Sequence, residues 1–204
     1  MDENEFYDDL AGTLERSWRL LETAVADPAS PARTPVLISV DADGLAQGRT
    51  VVLRDFNRQQ RQLKVYTDVR SAKVTQLRAQ PNCTLVGYQP DPMIQLRLNT
   101  RAVIHHDNEL TRDAWIVMPG PNRCNYLTDP DPGSLSVEPT DGRPVITAES
   151  VPTQKENEIA YSHFSVIVFT VNELEWLYLP RRGHRRAQFI WDDADSLQSH
   201  WLIP

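Results

Sequence analysis

"MIQLRLNTRAVI", residues 93–104, alternates Ile94, Leu96 and Leu98 with Gln95, Arg97 and Asn99. Successive side chains of a strand point to opposite faces, so this two-residue period predicts a strand with one greasy and one polar face. One-sided sheets of this kind are typically antiparallel, whereas parallel sheets are covered on both faces and read as continuous apolar runs. The stretch therefore sets the expected class: mainly β, antiparallel, with accessory helices.

Working outward, "TPVLISV" (34–40) and "GRTVVLRDF" (48–56) flank the turn residues "DADG" and read as a hairpin. Within the second of these, Thr50 to Leu53 form the β-branched and apolar run of a buried strand, bracketed by Arg49 and Arg54. "QLKVYTDV" (62–69) and "CTLVGY" (83–88) are further strands, and "SVIVFTV", "LEWLYL", "AQFIW" and "HWLIP" return to strand towards the C-terminus. Seven or so strands with few helices between them suggest an antiparallel barrel, because parallel pairs would need a crossover helix at most steps. Barrel closure also removes exposed edges.

Helical spacing recurs in Phe6, Leu10, Leu14, Trp18, Leu21 and Val25, and Asp27-Pro28 stops it, which predicts an N-terminal helix within residues 1–30. Shorter helices are expected in "RSAKVTQLRAQP", where Ser71 can cap and Pro81 lies beyond the end, in "DNELTRDAWIVM" and in "TQKENEIAYSHF". Between the last two, from Pro119 to about residue 155, prolines and short polar residues dominate and an irregular excursion is expected.

The 204 residues, 40% apolar, are read as a single domain over 1–204 with a substantial core. A net charge of −7 argues against a general nucleic-acid binder. The sequence has no long uncharged apolar run and its first residues are acidic, so a cytoplasmic protein with no membrane segment is expected. Cys83 and Cys124 belong to no CxxC pair and are read as packing residues, and His105-His106 as loop histidines without metal spacing.

Three stretches could carry chemistry. In "YTDVRSAK", Ser71 and Lys73 fall at a helix start, where open amides and the helix dipole favour an anion, and Arg49 could reach the same spot. Buried cations need an anion or several acceptors, and a guanidinium, an ammonium and a hydroxyl suit a phosphate group. Gln95 brings an amide that can donate and accept to a polar sheet face. "PRRGHRRAQF" gathers Arg181, Arg182, Arg185 and Arg186 with His184, either a lid for an anionic ligand or a solvated hairpin tip.

Taken together, "RTVVLRDF", "VYTDVRSAK", "IQLRLN", "DPDPGS" and "HRRAQF…W…LIP" occur in an order that resembles the pyridoxamine 5′-phosphate oxidase-like FMN-binding proteins, in a branch of unassigned substrate, from about residue 35 to the C-terminus. The resemblance implies a split β-barrel homodimer with FMN in each of two clefts between subunits. It places Arg49, Ser71 and Lys73 at the FMN phosphate, Val51, Val52 and Leu53 along the ring system, and Tyr66, Thr67, Gln95 and Gln188 among the remaining flavin contacts. Arg54 resembles a lysine close to substrate, and Arg123, Arg185 and Arg186 are the other candidates for an anionic substrate. Ala72 and Gln188 stand where relatives carry basic residues, and the substrate-phosphate residues of the vitamin oxidases are not recognisable around 115–126. The implied function is an FMN-dependent oxidoreductase on a small anionic substrate that need not be pyridoxamine phosphate. The alternatives are a non-catalytic FMN binder or carrier, and a barrel that binds another heterocycle.

Overall fold

Nine strands, all paired antiparallel, carry the computed structural model, which describes residues 6–144 and 150–204. β1 (Val36–Val40) and β2 (Ala46–Thr50) form the expected hairpin. Its turn is tied by the Asp41 carboxylate, which accepts from the amides of Asp43 and Leu45, and Gly44 supplies the left-handed φ of +80° that the turn requires. β3 (Leu53–Asn57), β4 (Gln62–Asp68), β5 (Asn82–Gln89), β6 (Ile94–His105), β7 (Phe164–Tyr178), β8 (Arg185–Trp191) and β9 (Leu197–Leu202) complete the sheet.

The strand order is β2-β1-β5-β6-β7-β4-β3, with β8 on β7 and β9 on β8. The two ends of this order, β2 and β3, are separated in the chain by Val51 and Val52 alone, so one edge of the sheet leads into the other. This corrects the reading of Thr50 to Leu53 as one buried strand. Pairing with β1 ends at Thr50 opposite Val36, and pairing with β4 begins at Leu53 opposite Val65. A strand that changes partners leaves its middle outside both ladders; Thr50 is exposed, Val51 and Val52 are half-buried, and only Leu53 is fully buried.

A second correction concerns "SVIVFTV" and "LEWLYL", which form the single strand β7. Asn172 is an extra residue against β6, where Thr100 faces Val171 and the adjacent Asn99 faces Glu173. The bulge bends the strand without ending it, so the polar pair Asn172-Glu173 only imitates a break. β7 can then pair with β4 along its first half and with β8 along its second.

Helix α1 (Leu10–Ala26) is capped by the Asp9 carboxylate, which accepts from the amides of Ala11 and Gly12. It presses Trp18, Leu21 and Ala24 onto the inner face of the sheet, among Leu53, Leu63, Leu96, Leu98, Phe169 and Phe189. Trp18 meets Phe56 and Trp191, each at 5.6 Å between ring centroids. Each fully buried large side chain of this kind contributes about 1.5–3 kcal/mol. The short helix α2 (Ala72–Ala79) closes over the same core through Leu77.

On the other side of β4 and β7 a smaller core gathers Trp115, Met118, Cys124, Ala160, Phe164 and Val166 under α3 (Glu109–Val117), α4 (Gly120–Arg123) and α5 (Gln154–His163). Capping boxes at Asn108/Thr111 and Thr153/Glu156 start α3 and α5. Of the stretch read as irregular from Pro119 to about residue 155, residues 120–126 are helical and α5 begins at Gln154, while residues 127–144 and 150–153 are irregular; residues 145–149 lie outside the described part, as do residues 1–5 of the acidic N-terminus. Among the described residues no helix is long and apolar enough to cross a membrane, and no cluster of His, Cys, Asp and Glu could hold a metal ion.

Candidate functional site

β4 delivers Thr67 to the inner face, the chain turns through Asp68 to Ser71, and α2 begins at Ala72 with Lys73 in its first turn. Ser71 sits at the cap position, but its hydroxyl turns back to donate to the Asp68 carbonyl at 2.7 Å and lies 3.4 Å from Thr67 Oγ1. Lys73 Nζ donates to Thr67 Oγ1 at 3.0 Å. From β2, the Arg49 guanidinium donates to Ser39 Oγ and, at 3.0 Å, to Gln76 Oε1 on α2. All of these acceptors are neutral.

Burial pushes the Lys73 ammonium below its ordinary value, and the nearby Arg49 charge pushes it further, with Asp68 opposing; burial alone lowers Arg49. Two cations thus stand close enough to repel, beside two hydroxyls and a helix start, and neither is in an ion pair among the described residues. Asp68 could have neutralised Lys73, but Arg70 takes its carboxylate in a two-pronged contact at 3.0 and 2.6 Å. Arg70 also reaches Asp131 at 2.9 Å and the Thr128 carbonyl and hydroxyl at 3.1 Å, which fastens the excursion to the turn. Sequence reading missed Arg70; the Asp68-x-Arg70 spacing was its only signal.

Tyr66, one residue before Thr67, points to the opposite face. There the Arg54 guanidinium lies 5.7 Å from its ring centroid. Both line a cleft of about 120 Å³ with Val117, Met118, Asn122, Asn125 and Tyr126. Burial pushes the Tyr126 and Tyr66 phenols above their usual values, with the Arg54 charge opposing in both, so each stays a neutral donor at ordinary pH.

The remaining expected site residues lie elsewhere. Arg123 is stacked 5.3 Å from the centroid of Trp115 and donates to the carbonyls of Trp115 and Met118 and to Asn157, holding α4 against α3 and α5. Arg185 pairs with Asp8 at 2.5 Å, and Arg186 with Glu175 at 2.7 Å. Gln188 donates to Glu173 at 2.8 Å. Gln95 and Gln188 share the outer, polar face, since Gln188 is opposite Glu175, and Glu175 opposite Arg97. Arg49 lies in register with Leu37, Leu85 and Leu98 on the inner face. Gln95 is therefore three strands from Arg49, roughly 14 Å across the sheet and roughly 10 Å along it, and on the other side.

Residues 15–106 match the family model described as "Pyridoxamine 5'-phosphate oxidase, FMN-binding domain". That stretch is under half of the chain, and over it the chain is similar to the FMN-binding domain of pyridoxamine 5′-phosphate oxidase. Arg49, Arg54, Tyr66, Thr67, Ser71, Lys73 and Gln95 all fall inside the matched part; Arg123, Arg185, Arg186 and Gln188 fall outside it. No curated protein matches the chain. Among solved structures, a pyridoxamine 5′-phosphate oxidase-related, FMN-binding protein from Nostoc punctiforme is similar at 22% identity and TM-score 0.69, over 93% of this chain and 96% of that one. PhzG from Burkholderia lata, solved in complex with tetrahydrophenazine-1-carboxylic acid, is similar at 16% identity and TM-score 0.71, over 98% and 96%. At these identities the likeness establishes the fold, which is that of the family's FMN-binding structures.

Proposed function

We propose that this protein is an FMN-dependent oxidoreductase acting on a small anionic substrate, with two copies of the chain forming each flavin cleft. The observation that carries the reading is the pair Arg49 and Lys73, two partly buried cations whose hydrogen bonds all go to neutral oxygens. A phosphate fits that donor set: it would take both charges, the Thr67 and Ser71 hydroxyls and the start of α2. Val51 and Val52, half-buried and outside both ladders, leave apolar surface for a flat ring, the Val51 amide being given to the Pro35 carbonyl at 3.0 Å.

When bound, FMN supplies the hydride-accepting chemistry, and the chain's own residues bind, orient and exclude water. Gln95 and Gln188 cannot reach the Arg49–Lys73 site within one chain, but a second copy whose outer face meets that site would bring them to it, Gln188 with its amide nitrogen given to Glu173 and its amide oxygen left to accept. This supports a homodimer with shared clefts.

Titration of FMN by quenching of its fluorescence tests the reading. Arg49→Ala and Lys73→Ala are each expected to weaken binding by roughly 1.5–3 kcal/mol, the range for hydrogen bonds to charged groups. Unchanged affinity in both variants rejects the phosphate assignment. Anaerobic bleaching of the bound flavin by candidate reduced substrates separates an oxidoreductase from a carrier, which no small molecule would reduce.

A further inference from the structure

We propose that Arg70 is a positioning residue that sets the preference of this site for a phosphorylated flavin: it holds the Asp68 carboxylate so that Lys73 stays free for the phosphate. The proposal rests on the FMN reading above and deepens it. Thr67 and Asp68 are neighbours at the end of β4, and Lys73 donates to the first of them at 3.0 Å. The Asp68 charge is close enough to act on the Lys73 ammonium, favouring its charged form against burial and Arg49. Without a partner, that carboxylate would compete with a phosphate for Lys73 and would also repel it.

Arg70 removes this competitor with three donors. Its backbone amide reaches Asp68 Oδ1 at 2.8 Å, its Nε reaches the same oxygen at 3.0 Å, and its Nη2 reaches Oδ2 at 2.6 Å. The Asp68 residue is 8% exposed, so water is a poor substitute for these bonds. The rest of the guanidinium is engaged as well: Nη1 with Asp131 at 2.9 Å, and Nη2 with the Thr128 carbonyl and hydroxyl at 3.1 Å. All three side-chain nitrogens of Arg70 are therefore committed to the protein, which separates its role from that of a direct phosphate ligand. With Asp68 balanced, Arg49 and Lys73 act on the phosphate undiminished. Loss of Arg70 would leave a nearly buried carboxylate unbalanced beside them.

Titration of FMN and of riboflavin, which lacks the phosphate, by quenching of flavin fluorescence tests this. Arg70→Ala should weaken FMN binding about tenfold or more and riboflavin binding much less, narrowing the preference between the two. Combining it with Asp68→Asn removes the carboxylate and should restore FMN affinity, a coupling of about tenfold between the two substitutions. Arg70→Gln, which keeps some hydrogen bonding without the charge, replaces the alanine variant if that one fails to fold. Asp131→Asn cuts only the exposed branch of the Arg70 contacts and should leave FMN affinity unchanged. Unchanged FMN affinity without Arg70, equal losses for FMN and riboflavin, or a double variant as weak as the single one overturns the proposal while leaving the flavin reading intact. So does a loss in Asp131→Asn as large as in Arg70→Ala, which would assign the effect to fastening the excursion. Failure of the unaltered protein to take up FMN overturns the flavin reading and this proposal with it.

Discussion

Lys73 keeps its ammonium against a single neutral oxygen, Thr67 Oγ1, with the Arg49 charge nearby, and both burial and that charge disfavour its protonated form. The folded state thus releases the Lys73 proton at lower pH than the unfolded state, whose lysine titrates near 10.5. Between the lowered folded value and 10.5 the unfolded chain binds more protons, so this residue makes stability rise with pH in that window. Thermal midpoints of flavin-free protein, taken from pH 7 upward for the unaltered chain and for Lys73→Met, should converge as pH rises, the methionine variant being relatively more stable at the neutral end. A difference independent of pH would mean that Lys73 is not strained. Saturating FMN should reverse the order at neutral pH, because a phosphate favours the charged ammonium. At this scale the placement of Ser71 and Lys73 at one helix start was legible, since both lie within three residues of it in the sequence. The fates of Arg185 and Arg186 were not. Their carboxylates, Asp8 and Glu175, come from residues distant in the chain and adjoin them only through β7–β8 pairing and the docked N-terminal turn.

Single elements were read best where a period ran unbroken, as in β6 and α1, and worst where a strand changes neighbours or carries a bulge. Val51-Val52 and Asn172 are both events of pairing, which depend on partner strands that no local window contains. Ser71 illustrates the limit of cap rules: its hydroxyl satisfies the Asp68 carbonyl instead of the helix amides, so α2 starts without a side-chain cap, and the Val74 amide donates to the Ser71 carbonyl at 2.9 Å. Asp9 does cap, through contacts of 3.2 and 2.7 Å to Ala11 and Gly12. Asp9→Ala should therefore cost about 1 kcal/mol in urea unfolding. Because α1 packs Trp18 and Leu21 into the main core, the loss should appear in the single global transition and not as local fraying; a separate early transition would show that α1 is docked independently.

For the whole molecule, the deciding feature is the outer face of β6, β7 and β8. Glu175 is only 4% exposed there, gripped by Arg97 at 2.5 Å and Arg186 at 2.7 Å, while Glu173 holds Asn99 and Gln188. The Nε groups of Arg97 and Arg186 are buried without an acceptor. Such orphan donors cost about 1–3 kcal/mol each, and charged groups more, so acceptors from outside the chain would recover a substantial stabilisation. A second copy laid on this face could supply them and would also bring Gln95 and Gln188 towards the Arg49–Lys73 site. The protein should then scatter light as a particle of twice the chain mass. Glu175→Arg, which sets three cations side by side, should shift it to the single-chain mass with an unchanged circular dichroism spectrum. If the flavin cleft is shared, FMN affinity must fall in step with dimer population, by about tenfold or more for the loss of charge-assisted or amide contacts. A variant that is monomeric yet binds FMN as tightly as the unaltered protein would place the whole flavin site within one chain.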